Sequence, residues 1–264
     1  MQYSVLGPLQ IVDDSSAQPV IRTPQATKAK ILLATLLCRA NQIVPLDQLI
    51  DSMWGRGGPR NAKATLHVYV SQIRRTLAEP KQPNPIVTCP AGYLVRVDDG
   101  CLDSETFESL VREGRSHLDN REYEEAAAVL SRALRMWHGS PLHGLMDSST
   151  LRTFAIRLDE LRLSAIEMRV EANLALGLDR HLIGELLTLV NDHPYRESFY
   201  RQLMIALYRS ERQSEALRVY SRLRTTLNHE LGLEPCRMLK LLQQAILRAD
   251  HAVESFVTTP RATV

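Results

Sequence analysis

The apolar positions of the chain change period along its first third. Tyr3 to Val12 is short, partly alternating and interrupted by Gly7-Pro8. The polar turn Asp13-Asp14-Ser15-Ser16 follows, so this stretch predicts small strands. From Gln25 the period lengthens: Ile31, Leu32, Ala34, Thr35 and Cys38 share one helical face, with Lys28 and Lys30 in the opening turn. Pro45 and the run Asp47 to Trp54 predict a second, shorter helix that Gly55-Arg-Gly-Gly-Pro59 stops. A third helix is expected to begin between Pro59 and Ala62, since proline is tolerated in a first turn, and to run to about Leu77. The three prolines of Glu79 to Pro85 cannot continue it. Ile86 to Thr88 and Tyr93 to Val97, separated by Cys89-Pro-Ala-Gly92, then predict a hairpin. Strands, three helices and a hairpin in this order read as a winged helix-turn-helix.

Asp98-Asp-Gly100 is the turn signal between this unit and a long helical tract, which sets the expected division at 1–98, 99–250 and a tail of 251–264. The first part is expected to hold DNA binding by itself. Asp103 is expected to cap a helix carrying Phe107, Leu110 and Val111. Breaks follow at Asp119-Asn120, His138 to Pro141, Gly177, His193-Pro194 and Gly232 to Pro235. Tyr123, Ala126, Ala133 and Leu134 stand at the patterned positions of a tetratricopeptide helix, and Ala216 repeats the pattern. Leu182 aligns with Ala216 at the 34-residue period, whereas Ala126 lies 56 residues before Leu182 and requires an insertion of 22. The expected fold is mainly α with small β-sheets: a winged helix-turn-helix domain followed by an all-α, tetratricopeptide-like domain.

The 264 residues, 44% hydrophobic and 23% charged, match globular averages and exclude a disordered or fibrous chain. The longest apolar run, Ile31 to Cys38, falls well short of the ~18 residues of a membrane span. The first twenty residues lack Lys and Arg, unlike a secretory signal, so a cytoplasmic, nucleoid-associated protein without a membrane partner is expected. Cys38, Cys89, Cys101 and Cys236 form no CxxC pair and are expected to be reduced. The net charge of +2 conceals a segregation. From Arg22 to Arg96 there are 11 Lys and Arg against 3 acidic residues, a net +8, while the rest of the chain is acidic. A basic first third joined to an acidic remainder suits a nucleic-acid-binding domain with a second module.

Helical spacing in the third helix buries Leu66, Val70, Ile73 and Leu77. Thr65, Val68, Tyr69 and Gln72 then point outward, flanked by Lys63, Ser71, Arg74 and Arg75. Such a face suits a major groove: glutamine pairs with adenine, valine meets a thymine methyl, and cations hold phosphates. Thr65, Val68, Tyr69 and Gln72 are therefore the expected base readers, and Lys28, Lys30, Arg60, Lys63, Ser71, Arg74 and Arg75 the expected phosphate contacts. A surface helix whose Tyr69 packs on a neighbour is the plainer alternative for this element taken alone.

Ile31-Leu-Leu-Ala-Thr-Leu-Leu37, Leu49-Ile-Asp-Ser-Met-Trp54, Leu66-His-Val-Tyr-Val-Ser-Gln-Ile-Arg-Arg-Thr-Leu77 and Ile86-Val-Thr-Cys-Pro-Ala-Gly-Tyr93 resemble the Streptomyces antibiotic regulatory proteins. The likeness runs over about residues 1–250, and the helical half, with its Glu230-Leu-Gly-Leu-Glu-Pro235, resembles the bacterial transcriptional activation domain of that family. The resemblance implies a third helix in the major groove, with the family's reading positions on Thr65, Val68, Tyr69, Gln72 and Arg74. It implies a wing, here Thr88 and Cys89, in the adjacent minor groove. It further implies binding to direct repeats in double-stranded promoter DNA by a dimer, contact with RNA polymerase holoenzyme, and control of an antibiotic biosynthetic cluster. The wing departs from the common Thr-Arg-Pro-x-Gly-Tyr, with Cys89 standing where that Arg would be.

Catalytic chemistry is not expected. Gly55-Arg-Gly-Gly58 lacks the Gly-Lys-Ser/Thr ending of a phosphate loop, and the eight histidines are scattered without ligand spacing, so neither cofactor nor metal is expected. Ser148-Ser-Thr150 can cap a helix but lacks a nucleophile's setting. The rival functional reading is a tetratricopeptide adaptor whose basic domain binds nucleic acid only weakly. The helical half could also serve only as a stabilising cap on the DNA-binding unit.

Overall fold

The computed structural model describes residues 1–13, 20–79 and 82–249, together with Val253 and Phe256. Asp14 to Ser16 of the expected first turn, Pro80 and Lys81 of the proline loop, and the expected tail apart from Val253 and Phe256 lie outside the described residues. The chain forms two compact units, each discontinuous in sequence. The first combines Met1–Val111 with Arg132–Leu163; the second combines Arg112–Ser131 with the residues from Ser164 onward.

In the first unit, β1 (Gln2–Ser4), β2 (Gln10–Asp13) and β3 (Val20–Ile21) make an antiparallel meander with Tyr3 opposite Ile11 and Val12 opposite Ile21. Tyr3 and Ile11 face the core while Gln2 and Gln10 face solvent, as a period of two requires. Asp13 is buried, and Arg22 pairs with it at 2.5 Å, which offsets its desolvation. Helix α1 (Thr27–Leu37) is buried at every position from Ile31 to Leu37 and runs through the middle of the unit. Its one polar side chain there, Thr35, donates to the Ile31 carbonyl at 2.8 Å and meets Ser52 Oγ at 2.6 Å. Ser52 in turn lies 2.9 Å from Ser148 Oγ, so three buried hydroxyls form a chain.

The short strand β4 (Val44–Pro45) leads into α2 (Leu46–Trp54), a 3-10 turn at Gly55–Gly57, α3 (Ala62–Thr76), and the hairpin β5 (Ile86–Cys89) and β6 (Gly92–Val95). The second sheet has the order β4-β6-β5. Cys89 and Gly92 are strand residues paired with each other, so the hairpin turn is only Pro90-Ala91, shorter than the four-residue connection expected. Gly92 is demanded by close approach: a Cβ there would lie 2.0 Å from the Val44 carbonyl oxygen, against which β4 pairs.

Helices α4 (Asp103–Asp119), α5 (Tyr123–Leu134) and α6 (Ser149–Ala175) follow. Residues 132–163 complete the first unit, because Leu142, Leu145 and Leu151 sit in one core with Ile31, Leu49 and Leu66. The backbone joins in: His138 N–H donates to the Leu6 carbonyl at 2.9 Å and Leu142 N–H to the Val5 carbonyl at 3.1 Å. Asp103, expected only as a cap, opens α4 and turns its carboxylate to the first strand segment, accepting the Val5 N–H at 2.9 Å and the Leu6 N–H at 3.1 Å. Burial nonetheless pushes this carboxyl above its ordinary range, against the lowering effect of those N–H groups.

The second unit adds α7 (Asp179–Asp192), α8 (Glu197–Arg209), α9 (Gln213–Leu231) and α10 (Arg237–Leu247). Successive helices pack on one another, α7 on α8 and α8 on α9. Three turns have the same geometry: Arg121, Gly177 and Glu211 all adopt positive φ, and the residue after each donates back to the helix it leaves. They lie 56 and then 34 residues apart, as Ala126, Leu182 and Ala216 do, and those three side chains are all buried. Glu167 is buried on α6, where Arg196 Nε and Ser198 Oγ donate to it, each at 2.5 Å.

Candidate nucleic-acid interface

Helix α3 is anchored by one face and open on the other. Leu66, Val70 and Ile73 are fully buried, and Leu77 just past the helix end is too. On the opposite side Val68 is 56% exposed, an unusual position for a β-branched hydrophobe, with Gln72 exposed one turn further. Tyr69 is half-buried and packs against the core through part of its ring. The Thr65 hydroxyl donates to the Asn61 carbonyl at 3.1 Å and that of Ser71 to the His67 carbonyl at 3.0 Å, so both protons stay within the helix. Lys63, Arg75 and Arg60 are exposed along the same helix and its approach, and Lys30 on α1 is half-buried.

Two cations expected at phosphates are engaged inside the protein. The Lys28 ammonium donates to the Met53 carbonyl, which closes the C-terminal end of α2 where a helix leaves carbonyls without partners. Arg74 reaches across to β5, with Nε and Nη2 on the Ile86 carbonyl at 3.2 and 3.0 Å and Nη2 on Thr88 Oγ1 at 2.7 Å. A lysine or arginine with a backbone partner in place is a brace, and the structure shows these two in that role.

The wing presents Thr88, Pro90 and Ala91 to solvent, with Cys89 half-exposed between them. Residues that sequence reasoning passed over hold it in place. Asn84 Nδ2 donates to the Arg74 carbonyl at 2.8 Å while its Oδ1 accepts the Ile86 N–H at 3.1 Å. His67 stands edge-on to Tyr93 at 6.3 Å. An asparagine amid three prolines is the only sequence signal for this clasp. Among the described residues no group of three or more His, Cys, Asp or Glu could hold a metal ion, and no helix is long and apolar enough to cross a membrane.

Comparison with known proteins adds the context for this geometry. The bacterial transcriptional activator domain matches residues 102–247, and the C-terminal domain of transcriptional regulatory proteins matches residues 22–95. The regulatory protein DnrI of Streptomyces peucetius is 37% identical over 261 residues, covering 96% of this chain and 94% of DnrI. AfsR of Streptomyces coelicolor is 35% identical over 254 residues, 96% of this chain and 25% of AfsR. The solved structure of Mycobacterium tuberculosis EmbR in complex with a low affinity phosphopeptide superposes with a TM-score of 0.90 at 34% identity, covering 97% of this chain and 68% of that one. Matching domains in this order, and relatives of this similarity along nearly the whole chain, make the protein a transcriptional regulator of the Streptomyces antibiotic regulatory protein family.

Proposed function

We propose that this regulator is a sequence-specific DNA-binding transcription activator, which binds direct repeats in promoter DNA as a dimer and recruits RNA polymerase holoenzyme to an antibiotic biosynthetic cluster. The observation that carries the reading is the open face of α3. Val68 stands 56% exposed beside Gln72, with Lys63 and Arg75 flanking and the opposite face buried. Water alone gives no reason to expose that valine among cations, whereas a major groove offers it a thymine methyl and offers Gln72 an adenine. The base readers are Thr65, Val68, Tyr69 and Gln72, Thr65 through its methyl. Lys30, Arg60, Lys63 and Arg75 face phosphates; Ser71, whose one proton goes to the His67 carbonyl, and the braces Lys28 and Arg74 do not, and Thr88 and Cys89 are the wing contacts on β5 beside the tip.

The helical second unit is the protein-contacting part. Its recurring turns at 56 and 34 residues support a tetratricopeptide-like stack with one insertion, whose neighbouring repeats bury faces that none could bury alone. That regularity also favours the second reading, an adaptor with only weak nucleic-acid binding. Selection of duplexes from a randomised pool by the full chain separates the two. An activator enriches one repeated sequence, binds it at least about 10³-fold more tightly than random duplex, and loses affinity with salt at roughly 0.9 log units per phosphate contact. It also stimulates purified polymerase from a template carrying that sequence. An adaptor enriches nothing and binds all duplexes alike.

A further inference from the structure

Among the described residues Arg74 is the only side chain of α3 that hydrogen-bonds directly to the hairpin, and it makes three such bonds. Two go to the Ile86 carbonyl and one to the Thr88 hydroxyl, while the guanidinium carbon lies 5.9 Å from the centre of the Tyr93 ring. Asn84 ties the same two elements through the Arg74 carbonyl and the Ile86 N–H. β5 is the edge strand of its sheet, and this clasp is the polar tie between wing and helix on its outer side, beside the apolar packing of Ile86 and Tyr93 in one core with Leu66, Val70 and Ile73.

The chemistry at Thr88 is directional. A hydroxyl has one proton and two lone pairs, and the Thr88 oxygen already accepts a charge-assisted bond from Arg74 at 2.7 Å. Its own proton is thereby turned away from the guanidinium. Thr88 is exposed, so that proton faces outward from the wing, where a phosphate oxygen would accept it.

We propose that Arg74 is a positioning residue for DNA recognition: it sets the wing against α3 and orients Thr88 as an outward hydrogen-bond donor, without holding a phosphate itself. The inference rests on the DNA-binding reading above. A planar fork is essential to it, because lysine keeps the charge but cannot serve two acceptors in this geometry. A phosphate ligand would tolerate lysine.

The test uses the full chain with the duplex it selects from a randomised pool, and hydrogen exchange of the free protein. Arg74→Lys is expected to weaken binding about tenfold, the equivalent of one charge-assisted hydrogen bond, with the salt slope unchanged. Exchange at the wing amides of Ile86 and Val87, which are held by Asn84 and by the pairing with Leu94, should rise in the same variant. Thr88→Val, which leaves the fold's backbone bonds in place, should lose a similar factor, and Arg74→Lys/Thr88→Val should be no worse than the weaker single variant. Wild-type affinity in Arg74→Lys would overturn the proposal. So would an Arg74→Gln variant whose salt slope falls by about 0.9 while wing exchange stays normal, since that is the signature of a lost phosphate contact. A wild-type chain that prefers no duplex would instead fail the DNA-binding reading itself and take the positioning role with it.

Discussion

Asn41 and Val97 are paired through a single side chain: Asn41 Nδ2 donates to the Val97 carbonyl at 2.9 Å, and the Val97 N–H donates to Asn41 Oδ1 at 3.0 Å. Asn41 sits at φ 62°, where asparagine is tolerated far better than other L residues, and its own N–H donates to the Val95 carbonyl at 2.9 Å. One residue thus continues the ladder beyond β6. Asn41→Ala is expected to cost about 1–3 kcal/mol, because two backbone groups lose partners and the backbone is strained. Asn41→Gly should recover only the strain. Urea melts of the three proteins give the order, and equal stability of the alanine variant and the wild type would exclude the paired role.

A chain cut after Gly100 should not keep a cooperative fold. It loses Leu142, Leu145 and Leu151 from the first unit's core and the Asp103 carboxylate from Val5 and Leu6. Each buried leucine is worth about 1.5–3 kcal/mol, so the three together rival a domain's whole stability of about 5–15 kcal/mol. Near-ultraviolet circular dichroism of the fragment is expected to be weak. A sharp thermal transition near that of the full chain would show that residues 1–98 stand alone.

Asp103 should also leave a mark on pH dependence. Its carboxyl titrates above the ordinary range in the folded chain because of burial, so in that window the folded state binds more protons than the unfolded one. The contribution is fully present below the unfolded-state value near 3.8 and is lost as pH rises through the raised folded value. Asp103→Asn removes this dependence while keeping an acceptor for Val5. The stability of wild type relative to Asp103→Asn should therefore fall as pH climbs through the carboxylate range; a difference that stays flat or grows would contradict it.

The turns and helices of the second unit carry improvable positions. Arg121 and Glu211 hold φ 64° without being glycine, and both are exposed. Arg121→Gly and Glu211→Gly should each stabilise by about 1 kcal/mol. Gly184 lies inside α7 with open space around its Cβ position, so Gly184→Ala should gain about 0.5–1 kcal/mol. Three upward shifts in melting temperature are expected, and a downward shift at Gly184 would reveal a partner close against that helix.

Cys89 offers a gain of function. It is half-exposed beside the wing tip and brings no charge there. Cys89→Arg is expected to tighten binding to the selected duplex and to steepen the salt slope by up to about 0.9. Unchanged affinity with a lowered melting point would mean that the side chain packs under the wing.

The periodic features of the fold were legible because periodicity is a property of sequence. The stripe Leu66, Val70, Ile73 by itself defines α3 and its free face, and the same holds for the breaks at Gly177 and Gly232. β3 and β4 span two residues each and have no period to read. The turn at Glu211 lacks a glycine and so carried no stop signal. The braces were harder still. Arg74 and Lys28 end on backbone carbonyls, and a carbonyl is present at every position, so nothing in the residue types distinguishes Ile86 or Met53 as a partner. A surplus of cations suggested phosphate contacts, and nothing in it told which of them also hold the protein to itself.

The buried hydroxyl chain from Thr35 through Ser52 to Ser148 limits how this regulator can be recombined with its kin. Ser148 lies within the matched activator domain, residues 102–247, and Thr35 and Ser52 within the matched regulatory domain, residues 22–95, yet all three meet in one interior. A hybrid spliced between those matches would set one parent's hydroxyls against another parent's packing, and a single mismatch there strands a polar group without water. New promoter preference is better grafted side chain by side chain, at Val68, Gln72 and the wing tip, leaving the splice-resistant interior whole.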